Sequence, residues 1–115
     1  MLLSEINAII TGSVSNIVEG SMPTTPDNVV VIRRAGGTAR DVALPRIQEP
    51  YFQVRVRNTS YAAAETICDT IKELLHVYRG GNFLIIRQSG DTLDLGRDEN
   101  NRAVLAVDFN TIREL

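Results

Sequence analysis

The chain has 115 residues and sets 12 Lys and Arg against 14 Asp and Glu, a net charge of −2. That length suits one domain over residues 1–115, with a core that requires neither disulfide nor metal staples. The acidic balance argues against a dedicated nucleic-acid binder, which clusters an excess of Lys and Arg. With no apolar run of about 18 residues and no signal-peptide pattern, the sequence predicts a soluble chain, neither membrane-inserted nor secreted.

Leu2, Leu3, Ile6, Ile9 and Ile10 recur at helical spacing, and Gly12-Ser13 ends that short helix. Ile17-Val18-Glu19 reads as a brief strand or an extended linker. Residues 20–28 hold two prolines and polar turn residues, the composition of a loop. Val29-Val30-Val31-Ile32 is too continuous to have a wet face and reads as a central strand covered on both sides. From Ala35 to Glu49 there is Gly36-Gly37, Pro45 and no sustained periodicity. This predicts a long loop of the functional or mobile kind, with Gly36, Gly37, Arg40 and Arg46 as candidate contact residues.

Tyr51 to Arg57 is the most legible stretch. Phe52, Val54 and Val56 alternate with Tyr51, Gln53, Arg55 and Arg57, giving one packed and one charged strand face. Ser60 is placed to cap the following helix, whose apolar stripe runs through Ala64, Ile67, Cys68, Ile71, Leu74, Leu75 and Tyr78 to a stop at Gly80-Gly81. Its other face carries Glu65, Asp69, Lys72 and Glu73, which can be solvated or can receive arginines from a neighbour. Phe83-Leu84-Ile85-Ile86 is a second apolar strand. Leu93 to Gly96 is short and extended, residues 97–102 form a polar hairpin tip, and Leu105, Val107 and Phe109 mark a final half-exposed strand. The predicted fold class is α+β: a mainly antiparallel sheet of about four to five strands with two helices packed on one face.

Nothing in the sequence assembles a catalytic site. His76 is the sole histidine and stands near a helix end, where a surface role is the ordinary one. Cys68, also alone, reads as a small buried hydrophobe and favours a reducing compartment. Asp91, Asp94, Asp98 and Glu99 do not have the spacing of a calcium loop. Gly36-Gly37-Thr38 lacks the lysine and helix of a phosphate cradle. No enzyme activity, metal or cofactor is expected. Apart from Lys72 every basic residue is Arg. This bias suits planar pairing with carboxylates at subunit contacts, although genome composition explains it as well. Arg55 and Arg57, two residues apart on one strand face, are the candidate interface cations. Asp69, Glu73, Asp94 and Asp98 of an adjoining copy are their candidate partners.

One combination of residues carries a family resemblance. Met22-Pro23, Pro26-Asp27, the valine strand, Gly36-Gly37, Phe52 to Arg57 leading into Ser60-Tyr61, and Leu95-Gly96-Arg97-Asp98-Glu99-Asn100 with Arg102 together resemble the minor capsid or tail-terminator family of long-tailed bacteriophages. The likeness spans roughly Met22 to Phe109. It implies a virion protein assembled in the host cytoplasm: a hexameric ring at the head-proximal end of the tail, which halts tail-tube growth and joins the head connector. Implied partners are further copies of itself, the tail-tube protein and the connector, with DNA passing through the lumen without sequence-specific binding and with no membrane. Another neck component, such as a head-completion or stopper protein, would share these features. A nucleic-acid-binding sheet using Tyr51, Arg55 and Arg57 is a further alternative, opposed by the acidic balance.

Overall fold

The computed structural model describes residues 2–37 and 46–114. In chain order the elements are α1 (Leu2–Ile10), β1 (Ile17–Glu19), β2 (Val29–Gly37), β3 (Ile47–Gln48), β4 (Pro50–Asn58), α2 (Tyr61–Leu75), β5 (Tyr78–Gly80), β6 (Phe83–Gln88), β7 (Leu93–Arg97) and β8 (Ala103–Glu114).

All eight of these strands join one mixed, curled sheet in the order β1-β2-β4-β8-β6-β5, with β3 and β7 also paired to β8. The expected mainly antiparallel sheet of four to five strands is therefore not the one formed. β1 lies parallel to β2, with Ile17 opposite Val30 and Glu19 opposite Ile32. β3 and β5 have two and three residues, too few to show the alternation by which a strand is recognised.

The final strand also differs from expectation. β8 runs for twelve residues and is paired along both edges: β4 then β3 on one side, β7 then β6 on the other. Leu105, Val107 and Phe109 are fully buried rather than half-exposed, because β8 occupies the middle of the sheet and faces the helical layer.

Both helices contribute to one core. Leu2, Ile6 and Ile10 of α1 and Ala64, Cys68, Ile71 and Leu75 of α2 cluster with Val30, Ile32, Phe52, Val54, Val56, Leu105, Val107 and Phe109. The register explains the selection. Val30 opposes Val56, and Val56 opposes Leu105; Ile32 opposes Val54, and Val54 opposes Val107, so alternate residues of three strands line one face. Phe52 and Phe109, also opposed, stack with centroids 5.1 Å apart and an interplanar angle of 13°. A buried ion pair fastens α1 to β8: the Arg113 guanidinium lies 2.5 Å from Glu5 and above the Phe83 ring, and Asn82 Nδ2 donates to Glu5 Oε1 at 2.9 Å.

Ser60 caps α2 as its position predicts, its Oγ accepting from the Ala63 amide at 3.3 Å. The helix ends earlier than its apolar stripe does. The His76 amide closes the last turn on Lys72 O, Val77 adopts a positive φ of 59°, and Tyr78 leaves the helix to enter β5. Gly80 opposes Phe83, so the two glycines serve a hairpin and not the helix terminus.

The long loop expected from Ala35 to Glu49 is shorter among the described residues. Ala35 to Gly37 extend β2, and Ile47–Gln48 pair with Arg113 and Glu114 of β8. Gly37 must be glycine: at φ 146° an added Cβ would stand 2.7 Å from Glu49 O and 2.8 Å from Pro50 Cα. Arg40 lies outside the described residues.

Candidate subunit interface

Alternation places Arg55 and Arg57 on the face of β4 turned away from the helices, yet the two side chains have different surroundings. Arg57 is 3% exposed and grips the loop before β2. Its Nη1 donates to Pro23 O at 2.6 Å, its Nη2 to Pro26 O at 2.6 Å and Thr24 O at 3.4 Å, and its Nε to Asp27 O at 3.1 Å. Burial, and then the nearby Arg102 cation, pull this guanidinium below its ordinary value. Arg102 grips the same loop, donating to Thr24 O at 2.9 Å and pairing with Asp27 at 3.1 Å and Asp98 at 2.8 Å.

Asp98 is thereby held inside its own subunit. Its carboxylate accepts from the backbone amides of Arg102 and Asn100 as well as from the Arg102 side chain. The Arg102 amide foremost, with its guanidinium, holds Asp98 below the usual carboxylate range. The structure thus unites Arg57, Arg102, Asp98 and Asp27 in an internal brace. Sequence reading missed this brace because the acceptors for Arg57 are main-chain carbonyls, which no residue type advertises. The Asp98 to Arg102 spacing was the only available signal.

Arg55 is half-buried and has no carboxylate partner among the described residues, donating from Nε to Gln53 Oε1 at 2.6 Å; Gln53 Nε2 in turn donates to Asp108 Oδ1 at 2.9 Å. Asp69 and Glu73 stand exposed on α2 and line an open groove of about 710 Å³ with Lys72, His76, Gln88 and Asp91. A smaller hollow of about 290 Å³ continues it past Tyr61, Glu65, Thr92 and Asp94. Lys72 is the one cation lining either hollow, 3.2 Å from Asp69 and 3.3 Å from Asp91. The Thr92 amide and then Lys72 hold Asp91 below its usual range, and Asp94 raises the Tyr61 phenol. His76 Nδ1 accepts from the Gln88 amide at 3.1 Å. That bond requires an unprotonated Nδ1 and gives the sole histidine a structural duty. Cys68 is sealed in the core, where burial pushes its thiol up to about 11, far from a reactive thiolate.

Three exposed arginines lie away from this groove. Arg33 and Arg34 stand on the exposed end of β2 with no carboxylate partner among the described residues. Arg46 lies 3.9 Å from Glu114 in a solvent-exposed pair. The groove beside α2 is thus acidic, through Glu65, Asp69, Glu73, Asp91 and Asp94, while the exposed end of β2 is basic. Among the described residues, no group of His, Cys, Asp and Glu could hold a metal ion, and no helix is long and apolar enough to cross a membrane.

Residues 4–115 match the sequence model of the bacteriophage tail terminator protein family. The chain belongs to that family. No curated protein matches it. Membership gives this tail terminator relative a structural role in the phage tail, a place in the virion and contacts with other tail or head proteins. Its acidic groove and the basic end of β2 are surfaces on which such contacts can form. The brace at Arg57 ties down the Pro23 to Asp27 loop while leaving Thr24 to Asp27 exposed to solvent.

Proposed function

We propose that this protein closes into a hexameric ring at the head-proximal end of the phage tail, where it stops tail-tube growth and presents a docking surface to the head connector. The observation that carries this reading, beyond family membership, is the separation of charge. The acidic groove beside α2 and the arginines of β2 are different surfaces of one subunit, so each copy can offer one to the next in a head-to-tail contact, the arrangement that closes into rings. Arg55, Asp69, Glu73 and Asp94 remain available for such contacts or for the tube, whereas Arg57 and Asp98 act through the loop they hold. A lumen formed by a mildly acidic chain lets DNA pass without gripping it. No chemistry is needed for any of these steps, and the protein acts as a non-enzymatic component.

The test is to withhold the protein from assembling phage and measure tails by electron microscopy, with native mass spectrometry of the purified chain alone and with tail tubes. Overlong, headless tails and a six-copy particle on the tube are expected. Tails of normal length that fail to join heads would move the protein to a stopper or head-completion role. A closed dimer as the sole assembled species would refute the ring.

A further inference from the structure

Among the described residues, two of the sheet's unpartnered strand edges are fully exposed. β1 covers β2 only from Val30 to Ile32. From Arg33 to Gly37, β2 is paired on its β4 side alone, and every residue of that segment is exposed. β7 is paired only with β8, and all five of its residues are exposed, with Leu93 at 48% and Leu95 at 46%. Such edges carry unpaired N–H and C=O groups in a row and are templates for an added strand unless they are blunted.

One residue on each edge matches the other in charge and in facing, Arg34 on β2 and Asp94 on β7, while Arg97 lies beyond the bulge at the far end of β7. Arg34 opposes Phe52, and Asp94 opposes Leu105, so both side chains belong to the helix-bearing face of the sheet. Arg33 opposes Gln53, and Leu93 opposes Ala106, which places both on the other face. When two copies join these edges with their helical layers on the same side, β2 and β7 run antiparallel, so Arg34 meets Asp94 and the apolar stem of Arg33 lies over Leu95, two residues on from Leu93.

We propose that the Arg33–Gly37 edge of one copy adds as a strand to the Leu93–Arg97 edge of a second copy, so that the sheets of successive subunits run on into one another. This rests on the ring reading and specifies its joint. Register shifts between Arg34 and Gly37 of β2 and between Asp94 and Arg97 of β7 confine regular pairing to the neighbourhood of Arg34 and Asp94, so the joint is short and needs its flanking charges. The wider acidic groove beside it, with Asp91 just before β7, adds attraction for Arg33 and Arg34 at low salt.

Two sets of variants of the full chain test the joint. Arg33→Cys and Leu95→Cys in one chain leave the Arg34 and Asp94 charges intact, and the buried Cys68 does not compete. Oxidation of assembled material is expected to give a ladder of disulfide-linked species up to ring size, with each single variant remaining monomeric. Arg34→Asp or Asp94→Arg alone is expected to raise the concentration needed for assembly about tenfold, while the two together restore it. Unchanged melting of the isolated variants shows that folding is not the cause. Rings that form without cross-linking, and that tolerate Arg34→Asp, overturn this joint but leave the ring standing. Disulfide dimers from Arg33→Cys alone overturn it in favour of a symmetric contact. A wild-type chain that forms no ring even on tail tubes overturns both.

Discussion

Replacing Arg57 with alanine should unfold the subunit more readily, whereas replacing Arg55, two residues away on the same strand face, should not. Arg57 makes four hydrogen bonds to main-chain carbonyls of the Pro23 to Asp27 loop. A hydrogen bond from a charged donor is worth about 1.5–3 kcal/mol net, so an uncorrected sum is roughly 6–12 kcal/mol. The true loss is smaller, because Thr24 to Asp27 are exposed and water can reach the released carbonyls. We expect about 3 kcal/mol, in the range found when one partner of a buried charged network is removed. For a domain of this size that lowers the melting temperature by roughly 10–20 °C.

Arg55 makes one hydrogen bond, to a neutral amide, from a half-buried position, and its truncation should cost less than about 1 kcal/mol. Urea unfolding of the two purified variants, followed by far-UV circular dichroism, separates them directly. Arg57→Lys keeps the charge but not the planar fork and should recover little of the loss. Combining Arg57→Ala with Arg102→Ala should be non-additive, since both side chains hold Thr24 O. An Arg57→Ala protein as stable as wild type, or an Arg55→Ala protein less stable than it, would refute the assignment of Arg57 to the fold.

Asp98 has a folded-state value depressed below its unfolded one. Its stabilising effect is therefore present above the ordinary carboxylate value of about 3.9 and is lost as pH falls through the depressed value; Asp98→Asn should flatten that acid limb in a pH series of thermal melts. Phe52→Ala removes one ring of the stacked core pair and should cost about 3–5 kcal/mol by urea denaturation, leaving the chain largely unfolded at 37 °C. Gly37→Ala sets a methyl group against the backbone of Glu49 and Pro50 at a φ unsuited to side chains. It should destabilise by about 1–3 kcal/mol and raise hydrogen exchange in β2 and β4. Reversing Asp69 and Glu73 to lysine should leave the melting temperature within a few degrees of wild type while abolishing assembly in native mass spectrometry.

The parts of the fold legible in the sequence were those whose environment is set by their own period. Phe52, Val54 and Val56 alternate because one face of β4 meets the helices, and Ala64, Cys68, Ile71 and Leu75 recur because α2 buries one stripe. What escaped depends on neighbours distant in sequence. Tyr78 continues the apolar stripe and reads as helical, but Val77 reverses the chain and β6 supplies it with a strand partner. Leu105 to Asn110 reads as a half-exposed final strand, since the four strands that flank it carry no local trace of that role. The site divides in the same way. Exposed carboxylates on α2 were predictable from helical spacing. The inward duty of Arg57 was not, because strand alternation distinguishes faces but not which arginine a loop will fold over.

The place of β8 also governs when the subunit can become competent to assemble. β4, β6, β7 and β3 all hydrogen-bond to it, and it follows every one of them in the chain. During synthesis these strands wait with open edges until β8 has left the ribosome, and the Phe52–Phe109 stack cannot form earlier. Contacts of such long sequence separation make folding slow and late, and they make it all or none. The acidic groove and the basic end of β2 therefore take their final positions only once β8 has docked, so the surfaces of the subunit are among the last features its folding completes.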